Sequence, residues 1–112
     1  MLNKAIFRAY DIRAVAMGEN SQIDSDGAYL LGKAVGTYLQ KQFNSTSLAC
    51  GKDARLTSDE FQMSFIKGVL ETGLDVTDLG LCPSPMLYYA TCTDKFDCGV
   101  NVTASHNPKE YN

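Results

Sequence analysis

The sequence predicts an α/β fold: a three-layer α/β/α domain on a mostly parallel, mixed sheet. Two observations carry this. Apolar residues recurring at three and four positions mark helices, and short apolar runs between them read as strands, in the order strand, helix, strand, helix, strand. That alternation needs crossover connections, which are right-handed and lay helices over both faces of a parallel sheet. At 112 residues the chain is read as one domain, 1–112, too short for two separate cores.

Each element has its own signal. Residues 5–7 are expected to add a short N-terminal strand. Asp24, Ser25 or Asp26 can cap a helix whose buried face is Tyr29, Leu30, Leu31, Ala34, Val35, Tyr38 and Leu39. Gly32 and Gly36 lower helix propensity there and imply a flank packed closely on another backbone. A membrane-dimer reading of that pair fails, because Lys33, Gln40 and Lys41 share the helix. A strand follows at 48–51. Thr57 and Glu60 have capping-box spacing for a second helix with Phe61, Phe65, Ile66, Val69 and Leu70 inward, and Gly73 stops it in the left-handed conformation. After a strand at 74–79, a third helix begins at Ser84 with Pro85 at its first helical position. The last strand is expected at 99–103, with Asn101, like Thr77 in the strand before, interrupting the apolar content.

Composition narrows the function. Hydrophobic residues at 45% and charged residues at 21% match globular usage and exclude a disordered tail. Ten Lys and Arg against thirteen Asp and Glu leave a net charge of −3, without the basic footprint of a nucleic-acid binder. No apolar run approaches the roughly 18 residues of a membrane span, and residues 1–8 lack the pattern of a signal peptide. A soluble, cytoplasmic domain is expected. Cys50, Cys82, Cys92 and Cys98 form no C-x-x-C pair, and the one histidine is not spaced for zinc, so they are read as reduced thiols.

Ligands of open α/β sheets bind beyond the carboxyl ends of the strands. Three segments leave strands at that edge: 51–55, 80–85 and 103–108. Side by side they bring Lys52, Asp53, Arg55, Ser105, His106 and Asn107 to one rim. Ser105 is a weak nucleophile that needs a base, a metal or positive surroundings. A hydrolase triad is not favoured: the ring of the adjacent His106 is expected to point away, and Thr103 and Asn107 occupy the glycine positions of a nucleophile elbow. A plain polar turn before Pro108 accounts for the same residues. Arg13, with Arg8 five residues earlier, offers a planar cation suited to phosphate oxygens. An ion pair with Asp11 is the alternative, as is a pair with Asp53 for Arg55. Neither a Walker loop nor G-x-G-x-x-G is present.

Four segments, taken in order and spacing, make the chain recognisable: Phe7-Arg-Ala-Tyr-Asp-Ile-Arg13, Gly51-Lys-Asp-Ala-Arg55, Leu81-Cys-Pro-Ser-Pro85 and Gly99-Val-Asn-Val-Thr-Ala-Ser-His-Asn-Pro108. Together they resemble the N-terminal domain of the α-D-phosphohexomutases, the phosphomannomutase/phosphoglucomutase family, from Phe7 to Asn112. The resemblance implies that Ser105 is carried as a phosphoserine and exchanges its phosphoryl group with a hexose 1- or 6-phosphate through a bisphosphorylated sugar. Hexose 1,6-bisphosphate would be the activator. Mg²⁺ would bridge the phosphate on Ser105 and aspartates of a following domain. By the match Arg13 stabilises the transferring group and His106 is a contact or proton-transfer helper. Arg55 orders the site or reaches phosphate, and Asn107, Lys52 and Tyr10 join it in binding substrate or phosphate.

Two departures stand out. Ala14 occupies a position where the family has glycine, and the sequence ends at Asn112 within the segment where the family runs on to a catalytic lysine. The expectation is therefore a domain cut short at its C-terminal end, inactive alone and partnered by downstream domains of the same chain. A non-catalytic module binding phosphate or a phosphosugar at the same rim is the alternative.

Overall fold

A computed structural model describes residues 2–112. Three strands and three α-helices follow one another as α1 (Ser25–Phe43), β1 (Ser47–Lys52), α2 (Ser58–Leu70), β2 (Asp75–Leu81), α3 (Ser84–Thr93) and β3 (Cys98–Val102). The strands pair in the order β2-β1-β3, with both pairs parallel. The chain leaves β1 toward β2 and returns past β1 to β3. Right-handed crossovers in opposite directions must place their helices on opposite faces. Accordingly Leu48 and Cys50 of β1 face Phe65 and Val69 of α2 and Leu31 of α1, whereas Ala49 faces Leu87 of α3 and Cys82. Among the described strands both pairs are parallel with helices on both sides of the sheet, in keeping with the expected three-layer, mostly parallel α/β/α domain.

Local chemistry explains the boundaries. Asp24, in extended conformation, accepts from the Gly27 amide and caps α1, and Asn44 closes it in the left-handed region at φ 53°. Backbone meets backbone where α1 crosses α2. A Cβ on Gly32 would collide with the Phe65 carbonyl, and one on Gly68 with the Tyr29 carbonyl. Gly36 is instead closed off by the Thr72 side chain.

Three expectations give way. Residues 5–7 are not a strand: Lys4–Ile6 form a 3-10 turn capped by Asn3, and only Phe7 bridges to Ile12. Ile6 alone is driven fully into the core, which a single turn accomplishes. The capping box does not form either, because Thr57 is already helical at φ −91°, ψ −13°, so its hydroxyl does not cap the free amides. Thr57 accepts from Asn112, and Glu60 bonds Ser25 across to α1. Pro85 is the second residue of α3, not the first, because Pro83 takes the cap position.

The N-terminal segment reaches the far end of the chain. Ala14 and Asn112 exchange backbone hydrogen bonds of 2.9 and 3.0 Å, and Ala16 donates to Glu110 at 2.6 Å. Ala14 does not have a positive φ and its methyl is buried, so no glycine is needed there.

Candidate functional site

The site forms where the loops after β1 and β3 lie side by side. Lys52 pairs with Val102 in the parallel register, and the chain continues with Asp53 donating its amide to the Val102 carbonyl at 3.0 Å. That register brings the Asp53 carboxylate to the start of the Ser105 loop. One oxygen accepts from the Arg55 amide (3.0 Å) and the Ser58 hydroxyl (2.5 Å). The other accepts from the Thr103 hydroxyl (2.9 Å) and the Ala104 amide (3.3 Å), and lies 3.3 Å from Arg55 Nε. Burial pushes this carboxyl up, but the donors of Ser58, Arg55, Thr103 and Ala104 outweigh it and hold the group below the usual aspartate value.

Ser105 sits in the left-handed region at φ 53°, which costs an ordinary L residue on the order of 1 kcal/mol. The loop over-determines that conformation. The Ser105 amide donates to Thr103 Oγ1 at 3.0 Å, and Asn107 donates to the Ala104 carbonyl through its amide (3.0 Å) and its side chain (2.8 Å). The Ser105 carbonyl accepts from Arg55 at 3.1 Å. A strained, exposed serine held by its surroundings is a feature that clusters at active sites. His106 does not point away: its Nδ1 lies 3.3 Å from Ser105 Oγ. The left-handed turn sets the two adjacent side chains together, and the ring can exchange a proton with the hydroxyl.

Arg13 arrives from the N-terminal turn. It donates to Asp11 at 2.6 Å and to Asn107 Oδ1 at 3.3 Å. The expected ion pair with Asp11 is therefore present, together with a tie to the Ser105 loop. A depression of about 490 Å³ opens beside it, lined by Arg8, Tyr10, Asp11, Arg13, Asn107 and Tyr111. Tyr10 is fully exposed at its lip. A second cleft, of about 370 Å³, runs from Ser105 and Thr103 between α1, α2 and the outer side of β3, with Leu31, Val35, Phe65 and Val100 among its walls. The first has the charge a phosphate needs; the second is too apolar for one. Lys52 is paired with Asp59 at the start of α2, at 3.0 Å.

Ser58 was not among the expected site residues, and Thr103 was expected only as the start of the 103–108 segment, not as a partner of Asp53. Their part depends on the strand register that sets 53 beside 103, and no local pattern announces it.

The four cysteines are free; Cys50 and Cys82 are buried, Cys98 is half-buried and Cys92 is exposed. Among the described residues no group of three His, Cys, Asp or Glu side chains is placed to hold a metal ion. The Asp53 carboxylate is already engaged on both oxygens. These residues do not make a Mg²⁺ site by themselves. No described helix is long and apolar enough to cross a membrane.

The parallel α/β/α domain carries a turn-borne serine, a neighbouring histidine and an arginine-lined depression, and comparison with known proteins gives the family. Residues 4–112 match the family model for phosphoglucomutase/phosphomannomutase, alpha/beta/alpha domain I, and the chain belongs to that family. It is 40% identical over 112 residues to a phosphomannomutase/phosphoglucomutase of Pseudomonas syringae pv. tomato, matching 100% of this chain and 23% of that protein. A phosphomannomutase of Salmonella montevideo is 39% identical with the same coverage. The crystal structure of a phosphoglucomutase/phosphomannomutase family protein from Burkholderia thailandensis superposes with a TM-score of 0.88 at 33% identity, over 100% of this chain and 25% of that one. The chain thus spans about a quarter of the length of these relatives.

Proposed function

We propose that the chain is the serine-bearing domain I of a longer, cytoplasmic phosphohexomutase interconverting hexose 1-phosphate and hexose 6-phosphate, and that it does not turn over alone. The observation that carries this is Ser105: an exposed hydroxyl on a left-handed turn, beside His106 and tied through Asn107 to Arg13. In the reaction, phosphate carried on Ser105 passes to a hydroxyl of the bound sugar phosphate. The Oγ–P bond breaks, the new sugar O–P bond forms, and the hydroxyl proton leaves to a base. The reverse transfer from the other phosphate of the hexose 1,6-bisphosphate restores the phosphoserine.

Phosphoryl transfer depends on positioning and on neutralising charge, more than on covalent help. Arg13 supplies a fixed cation facing the depression. Arg8, Tyr10 and Asn107 line the same space and suit a phosphosugar, whereas Lys52 would reach one only by leaving Asp59. Mg²⁺ would draw one ligand from phosphate on Ser105 and the rest from outside these residues.

The test uses the complete chain with hexose 1,6-bisphosphate and Mg²⁺, followed by peptide mass mapping. Phosphate on the Ser105 peptide, and loss of mutase activity in Ser105→Ala, are expected. Full activity in Ser105→Ala would overturn the assignment. Folded protein that binds phosphosugar but acquires no phosphate would be a binding module.

A further inference from the structure

The donor inventory of Arg55 separates two roles that the sequence left open. A guanidinium has five N–H donors and no acceptor. In Arg55, Nε faces Asp53 at 3.3 Å. Nη1 donates to the carbonyls of Pro108 (2.6 Å) and Tyr111 (3.3 Å), and Nη2 to those of Asn107 (2.6 Å) and Ser105 (3.1 Å). All four Nη donors are taken and Nε is held against the Asp53 carboxylate as an ion pair, so the forked edge of the guanidinium has no donor left for a phosphate oxygen. Arg13, by contrast, donates to two side chains, Asp11 and Asn107, and opens onto the depression.

We infer that Arg55, oriented by Asp53, is a positioning residue: it gathers the carbonyls of 105–111 around one cation, holds Ser105 in its left-handed conformation, and does not bind phosphate. Its effect on phosphoryl transfer rests on the function proposed above, while its effect on the loop does not. The carbonyls it gathers would otherwise point at one another or at solvent. A guanidinium can bridge them because its donors are fixed in a planar fork. Lysine, with three donors on a single nitrogen, cannot hold the same set.

The experiment compares the complete wild-type chain with Arg55→Lys. Backbone amides of residues 104–107 should exchange with solvent about tenfold faster in the variant, with the sheet core unchanged. In mutase assays kcat should fall about 100-fold, the scale of a small misplacement of reacting groups, while KM for the sugar phosphate stays within about twofold. Unchanged loop exchange would overturn the inference. So would a rise in KM at constant kcat, which is the signature of a lost phosphate ligand.

A measurement on the unmodified protein covers the case in which Arg55→Lys does not fold. The Nη hydrogens of Arg55 should give separate NMR signals, because bonding to four carbonyls hinders rotation of the guanidinium. A single averaged signal would refute the donor assignment. Absence of mutase activity in the wild-type chain would remove the functional reading and leave loop exchange and the guanidinium signals to decide the role of Arg55.

Discussion

Replacing Gly68 by alanine tests how α1 and α2 meet, because two effects of opposite sign compete. In an open helix the change would stabilise, since alanine exceeds glycine by about 1 kcal/mol in helix propensity. Here the new methyl would run into the Tyr29 carbonyl, with the Lys33 amide 2.9 Å away. Both obstacles are backbone, which cannot rotate aside as a side chain would. Overpacking of this kind costs about 1–3 kcal/mol, and a rigid obstacle belongs at the upper end. The net expectation is a loss of about 1–2 kcal/mol. A 112-residue domain shifts by about 4 °C per kcal/mol, so the melting temperature should fall by about 4–8 °C. Far-ultraviolet circular dichroism on heating, with urea unfolding to check that the m-value is constant, reads this directly. An equal or higher melting temperature would refute the backbone-to-backbone crossing.

Further outcomes follow from the site and the thiols. Arg13→Ala in the complete chain should lower mutase kcat by two orders of magnitude or more while moving stability by less than about 1 kcal/mol, since an exposed pair such as Arg13–Asp11 contributes little. Equal losses of rate and stability would make it a structural arginine. Asp53 titrates below its unfolded value near 3.9, so its contribution is present above that pH and is lost as pH falls through the folded value. The gap in urea midpoint between wild type and Asp53→Asn should therefore be widest at neutral pH and shrink below about pH 4; a constant gap contradicts this. Cys50 is pushed up to about 12, first by burial and then by the charge of Asp78. A thiol reagent at pH 8 should modify exposed Cys92 promptly and Cys50 only on unfolding. For the same reason, Cys50 should cost stability as pH rises from about 9 toward 12; equal labelling rates for the two cysteines would overturn the burial argument.

The helices and the three strands were readable because each is written locally. Tyr29 to Leu39 repeats at helical spacing, Asp24 stands one residue before α1 and caps it, and the apolar runs around 48, 76 and 100 need only short-range contrast to appear. The misses share a different cause. Thr57 has the right neighbour three residues on, yet its backbone is helical, a choice made by the turn that carries Asp53 into the site. His106 was expected to face away because extended neighbours alternate, and the left-handed Ser105 cancels that rule. Lys52 and Arg55 both belong to one motif, but Asp59 takes one and the carbonyls of a loop some fifty residues away take the other. The partners of Arg55 are set by the β1–β3 register, and a linear reading has no access to it.

The backbone bonds joining Ala14 to Asn112 have a consequence for the order of events in folding. Closing a loop of nearly the whole chain carries an entropy cost that only the finished contacts offset, and distant pairings form slowly. On a ribosome delivering residues from the N-terminus, α1, β1 and α2 can assemble while 103–112 are still being made. Arg13 then has neither Asn107 nor its seat beside Ser105. The serine turn and its arginine come into register together, and late. A nascent chain that has not yet added residues 103–112, or one nicked before them, therefore lacks the Ser105 turn and the Asn107 partner of Arg13.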